Sequence, residues 1–88
     1  MPRASATLQR VLSGKSDANI RFGDFVLLLR SLGFSERIRG NHHIFTSEAI
    51  PEIINLQPAG PMAKRYQVRQ VRLLIRKYRL GGDLADQI

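Results

Sequence analysis

The residues Gly40-Asn41-His42-His43-Ile44-Phe45 contain both histidines of this 88-residue chain. The pair is adjacent, follows a glycine and starts an apolar, β-rich run. Imidazole gives and takes protons near neutral pH. The body around it is cationic, with 14 Lys and Arg against 7 Asp and Glu, a formal net charge of +7. A proton-transfer group on such a body points to chemistry on a polyanion, RNA first, although a charge excess also suits an anionic membrane surface or an acidic protein.

Strand parity divides the two histidines. Neighbouring strand residues point to opposite faces. Phe45, the large aromatic, is expected to face a helical layer with His43, which leaves His42 accessible beside Ile44 and Thr46. The competing reading is that both are ordinary turn or strand residues, since functional histidines need context. Metal binding is disfavoured, because adjacent strand histidines diverge and the chain has no cysteine and no third histidine to complete a zinc site. No thiol chemistry or disulfide is available either.

The second constellation is cationic. Arg65, Arg69, Arg72, Arg76 and Arg79 recur at spacings that make one helix stripe. No acid lies between Lys64 and Leu80 to neutralise it by i,i+4 pairing. Arg37 and Arg39 precede the histidine turn. Guanidinium groups in such a row can follow phosphates. They can equally form a solvated helix face or hold an acidic protein. Phe22, Phe25, Phe34 and Phe45 read as core and there is no Trp, so recognition by phosphate and shape is favoured over base stacking.

These residues must be carried by a small α+β scaffold. Leu8, Val11 and Leu12 mark a short helix over Ser5 to Leu12, and Lys15 to Asn19 is a polar connector. Phe25, Leu28, Leu29 and Leu32 predict a buried helix over Asp24 to Leu32 that stops at Gly33. Phe34 to Arg39 alternates, Gly40-Asn41 is turn-prone, and His42 to Thr46 completes a hairpin. Ser47 to Pro51 reads as a turn and Ile53 to Leu56 as a third strand. A loop follows to about Lys64, with Gly60-Pro61 as a breaker. Val68, Val71, Ile75 and Tyr78 line a helix over Tyr66 to Leu80 that Gly81-Gly82 ends. The 43% hydrophobic content suits one folded domain. The division is a helical extension over 1–19, a core domain over 20–82 and a loose tail over 83–88. No apolar run approaches the roughly 18 residues of a membrane span, and Met1-Pro2-Arg3-Ala4 does not open a secretion signal. A two-layer sandwich follows, with a three-stranded antiparallel meander covered on one face by helices.

The Leu32-Gly33-Phe34 helix end, the basic first strand, Gly-x-His-His-Ile-Phe at 40–45, the short third strand and the final helix resemble the HicA toxins, also called the YcfA type, over about residues 20–81. The resemblance implies an α-β-β-β-α fold similar to the double-stranded RNA-binding domain, here with an extra N-terminal helix. It implies a ribosome-independent endoribonuclease that cuts messenger RNA and arrests growth; no cofactor is expected, and the lack of cysteine suits a reducing cytoplasm. It also implies a cognate HicB-like antitoxin that covers the active site. The family's catalytic histidine after Gly-Ser falls on His42. Asn41 stands where that motif has serine, and Leu56-Gln57-Pro58 stands where the family often has a Pro-x-His-like segment.

In this reading His42 is the acid–base group, and Arg37, Arg39 or Lys64 stabilises the developing charge. His43 is the secondary candidate, to orient RNA or act as a second proton-transfer group. Arg65, Arg69, Arg72 and Arg76 are further RNA-binding candidates, and Gly40 and Asn41 form the turn. A non-catalytic RNA-binding module and a basic protein-interaction domain are the alternatives.

Overall fold

A computed structural model describes residues 3–82. Its elements are α1 (Arg3–Ser13), α2 (Phe22–Ser31), β1 (Ser35–Arg39), β2 (His42–Ser47), β3 (Ile50–Leu56), β4 (Pro58–Ala59), β5 (Met62–Ala63) and α3 (Arg65–Tyr78). The first three strands form an antiparallel sheet in the order β1-β2-β3. The helices cover one of its faces. Phe45, Ile54 and Leu56 point into that layer and meet Phe25, Leu28 and Leu29 of α2 and Val68, Val71 and Ile75 of α3, all buried. Each such side chain contributes about 1.5–3 kcal/mol when fully removed from water. The tail Asp83 to Ile88 lies outside the described residues.

Within the extension over 1–19, helix α1 is part of the same core. Leu8 and Val11 of α1 are 1% and 0% exposed and pack in the main cluster. Arg72 fixes the helix from the other side. It donates to both oxygens of Asp17, at 2.8 and 3.2 Å, and to the Val11 carbonyl at 3.1 Å. Arg76 donates to the Leu12 carbonyl at 3.0 Å. These carbonyls belong to the last turn of α1, where backbone acceptors lack helical partners and the helix dipole favours a cation. The supposedly uniform stripe therefore divides, and Arg72 and Arg76 serve the fold.

The strands differ from expectation in two places. β3 starts at Ile50 and includes Pro51. Its register against β2 shifts between Phe45 and Ser47, where β3 carries extra residues. Such a bulge on an outer strand accommodates proline, which has no N–H to give a ladder. The stretch expected to be a loop folds as the β4–β5 hairpin around Gly60-Pro61, and Met62 bridges to Arg21. The Gly60 φ of +58° supplies the left-handed residue that this tight reversal needs. α3 also stops earlier than Gly81, with Arg79 in the left-handed region at φ +53°.

Glu52 of β3 ties the sheet to α3. It accepts from Tyr78 Oη at 2.6 Å and from Lys77 Nζ at 3.0 Å. The Tyr78 bond first, and the Lys77 bond second, hold its carboxyl below the usual carboxylate range. The same carboxylate raises Tyr78 and Lys77 above their ordinary values.

Two outcomes are expected. Arg72→Met leaves Asp17 and the α1 carbonyls without their donor. It should cost on the order of 2 kcal/mol by urea denaturation, less than the roughly 3–5 kcal/mol of a fully buried pair. An unchanged midpoint would show that α1 is held by its apolar face alone. The Glu52 contribution is present above the ordinary carboxylate pKa and lost as pH falls through the lowered folded value; those of Lys77 and Tyr78 are lost as pH rises through their raised values. Urea midpoints followed from neutral into acid should therefore converge for wild type and Glu52→Gln, and curves that stay parallel would remove Glu52 from the pH dependence.

Candidate active site

The site is built on the open face of the sheet. Glu36 pairs with Phe45 and Phe45 with Ile54, so these three define the inner face. Alternation places Arg37 and Arg39 of β1, His42 and Ile44 of β2, and Asn55 of β3 on the outer face. Arg39 stands directly opposite His42, and Arg37 opposite Ile44, which in turn faces Asn55. The reversal at Gly40-Asn41 joins β1 to β2 within two residues. Gly40 has φ +59°, whereas Asn41 is not in the positive region. That pattern suits a type II′ turn, which needs glycine at its first central position.

His42 is exposed and sits in a hydrogen-bond chain whose polarity can be worked out from one end. Lys64 Nζ can only donate, and it lies 3.3 Å from Gln57 Oε1. The Gln57 amide nitrogen therefore faces His42 Nε2, at 3.0 Å. An amide nitrogen also donates only, so His42 Nε2 accepts and carries the free lone pair. Nδ1 then holds the hydrogen and donates to Asn55 Oδ1 at 3.1 Å. Gln57 Nε2 also reaches Asn41 Oδ1 at 3.4 Å. Asn55 and Gln57 thus fix the tautomer and the ring plane, the usual duty of a residue behind an acid–base histidine.

Gln67 of α3 supports both. Its side chain is buried, its Oε1 accepts from the Gln57 backbone N–H at 3.3 Å, and its Nε2 donates to the Asn55 carbonyl at 3.4 Å. The amide occupies the backbone edge of β3 as a neighbouring strand would.

His43 lies on the other face, half-buried. Its Nδ1–H donates to Glu36 Oε2 at 2.7 Å, and its ring meets Phe22 edge-on at a centroid distance of 4.8 Å. Glu36 is 5% exposed along its side chain and also receives Arg30 at 2.9 Å. Two donors thus compensate one buried carboxylate, which is the condition for tolerating it. The imidazoles of His42 and His43 diverge, so they do not form a two-histidine acid–base pair on one face.

Of the remaining sequence candidates, Lys64 joins the His42 network, and Arg65 follows it in the chain at the start of α3. Arg69 is exposed one turn further along, without a partner among the described residues. Arg72 and Arg76 point to α1. Asn55, Gln57 and Gln67 were not singled out by sequence. The first two left a signal, because Ile54-Asn55-Leu56-Gln57 alternates apolar and polar beside the histidine strand. Among the described residues no three His, Asp or Glu converge as metal ligands, and no helix is long and apolar enough to cross a membrane.

No family model, no curated protein and no solved structure matches this chain.

The two histidines should respond differently to truncation. His43→Ala removes the Glu36 donor and the Phe22 contact and should cost about 1–3 kcal/mol of folding stability. His42→Ala, exposed, should stay within about 0.5 kcal/mol. Nitrogen NMR should find His42 as the Nδ1–H tautomer; an Nε2–H ring would overturn the direction assigned to the network.

Proposed function

We propose that the protein is a metal-independent endoribonuclease with His42 as its proton-transfer residue. The observation that carries this reading is the His42 ring: accessible, on a cationic sheet face, and held with its Nε2 lone pair directed to the side where Gln57 and Lys64 lie. The resemblance to HicA toxins, resting on Gly40 to Phe45 and the order of elements around it, extends the proposal. By that resemblance the substrate is messenger RNA, the activity arrests growth, and a HicB-like antitoxin is the partner.

The reaction is transesterification within RNA. A ribose 2′-oxygen attacks the adjacent phosphorus, the bond from phosphorus to the 5′-oxygen breaks, and a 2′,3′-cyclic phosphate remains. His42 Nε2 takes the 2′-OH proton as that oxygen attacks. For this the Gln57 amide must yield its place at Nε2, and it then becomes a donor for a non-bridging phosphate oxygen. Lys64 stands behind Gln57 and adds positive charge where the phosphorane forms; its ammonium or a water protonates the leaving 5′-oxygen. Arg37 and Arg39 hold the RNA backbone across the open face. His43 acts indirectly, by fixing the first strand against α2 through Glu36.

A second reading follows from the same contact. The Gln57 amide occupies the lone pair of His42 in the free protein, and if RNA does not displace it the domain binds without cutting.

Purified protein incubated with labelled messenger RNA in EDTA separates the two. Cleavage should survive chelation, and His42→Ala should lower the rate by about 10²–10⁴-fold, the range for loss of one acid–base group. His43→Ala, at a temperature where it is folded, should retain most activity. RNA that is retarded on a gel yet intact with every variant would transfer the assignment to a binding module.

A further inference from the structure

The chain has four phenylalanines, two tyrosines and no tryptophan. Phe22, Phe25, Phe34 and Phe45 are buried in the core. Tyr78 is tied to Glu52 by its hydroxyl. Tyr66 alone of these rings is largely open, at 56% exposed. Its place is fixed through its hydroxyl, which accepts from Gln67 Nε2 at 3.4 Å, while the same nitrogen donates to the Asn55 carbonyl at 3.4 Å. The hydroxyl end of the ring therefore lies at the edge of β3 beside Asn55, whose side chain holds His42. Along the chain, Tyr66 stands two residues after Lys64, the cation at the other end of the His42 network.

The neighbours of this ring suit a nucleobase. Ile53 and Asn55 flank the buried Ile54 and so lie on the open face of the sheet, where Ile44 stands opposite Asn55. Ile53 is 64% exposed. Asn55 Oδ1 accepts from His42, and its Nδ2 hydrogens have no partner among the described residues. A phosphate has no use for an aromatic ring or for isoleucine side chains. An unpaired base has use for both, and for an amide donor at its edge. Duplex RNA keeps its bases paired and offers shape, phosphate and 2′-hydroxyls, none of which calls for a ring at this place.

We propose that Tyr66 is the stacking platform for an unpaired base beside the scissile phosphate, and that the substrate is therefore single-stranded RNA. This deepens, and rests on, the reading of the His42 face as an RNA site. The sheet order β1-β2-β3 gives the strand its path. Arg37 and Arg39 hold its backbone on β1, His42 lies beneath it on β2, and Tyr66 takes a base at the β3 edge. The sequence expectation of recognition by phosphate and shape is revised by this one ring, which no helix periodicity singles out.

The test uses a short 2′-O-methyl RNA strand, which lacks the attacking hydroxyl and cannot be cut, beside an abasic strand of the same length. Tyr66→Leu keeps apolar bulk and removes the flat ring. It should weaken the base-bearing strand by at least about fivefold, the low end for one base on an aromatic side chain. It should leave the abasic strand unaffected, which also checks that the variant is folded. Tyr66→Phe should restore the loss. Tyrosine emission, which no tryptophan masks, should be quenched by the base-bearing strand only, and not in Tyr66→Leu. An equal loss on both strands would overturn the platform, and so would a duplex that binds as tightly as the single strand. RNA cleavage that needs His42 while Tyr66→Leu binds and cuts as wild type does would remove the platform and leave the ribonuclease. Tyr66-dependent binding of natural RNA that is never cut would keep the platform and remove the ribonuclease.

Discussion

The side-chain amide of Gln67 is the contact on which most of the architecture turns. It is buried at the start of α3, and both of its polar atoms are used on the backbone of β3 and of the residue that follows it. Removing it would strand an N–H and a carbonyl at about 1–3 kcal/mol each where water cannot reach them. The residues it grips by their backbones, Asn55 and Gln57, are the two whose side chains hold His42. One buried amide thus sets the distance between helix and sheet and, through it, the orientation of the only imidazole on the open face. The arrangement explains how an exposed ring keeps a defined tautomer without burial.

The helix that carries Gln67 serves three neighbours at once. Val68, Val71 and Ile75 enter the core. Arg72 and Arg76 turn to α1. Tyr66, Leu73 and the unpaired arginines are left to solvent. A helix with no acidic residue is poorly suited to isolation, since its cations repel one another. Here part of that repulsion is relieved by groups far away in sequence, Asp17 and the carbonyl end of α1. Arg65 and Arg69 keep their charge without a partner among the described residues.

Much of this was readable from the chain. Helix and strand order followed from apolar periodicity at 3.6 and 2, and the parity of Phe45 correctly separated the faces of His42 and His43. What periodicity could not reveal was pairing at a distance. The arginine row looked uniform because spacing records only one helix, whereas Asp17 lies 55 residues away from Arg72. Gln57 and Gln67 carried no motif, and an amide becomes informative only when its partners are known. The β4–β5 hairpin was hidden by its length, two residues in each strand, too short for any alternation to register.

The clasp on α1 has a consequence for how the chain reaches its fold. Its hydrogen bonds join residues 61 and 64 positions apart. Contacts of such separation form late, because closing a long loop must precede any gain from it. During synthesis α1 emerges first, yet it must wait for α3 before its last carbonyls are covered. Until then α1 has only α2 to pack against, which is its larger contact in the finished fold. The clasp is thereby the last contact of that helix to form, after its apolar face has met α2.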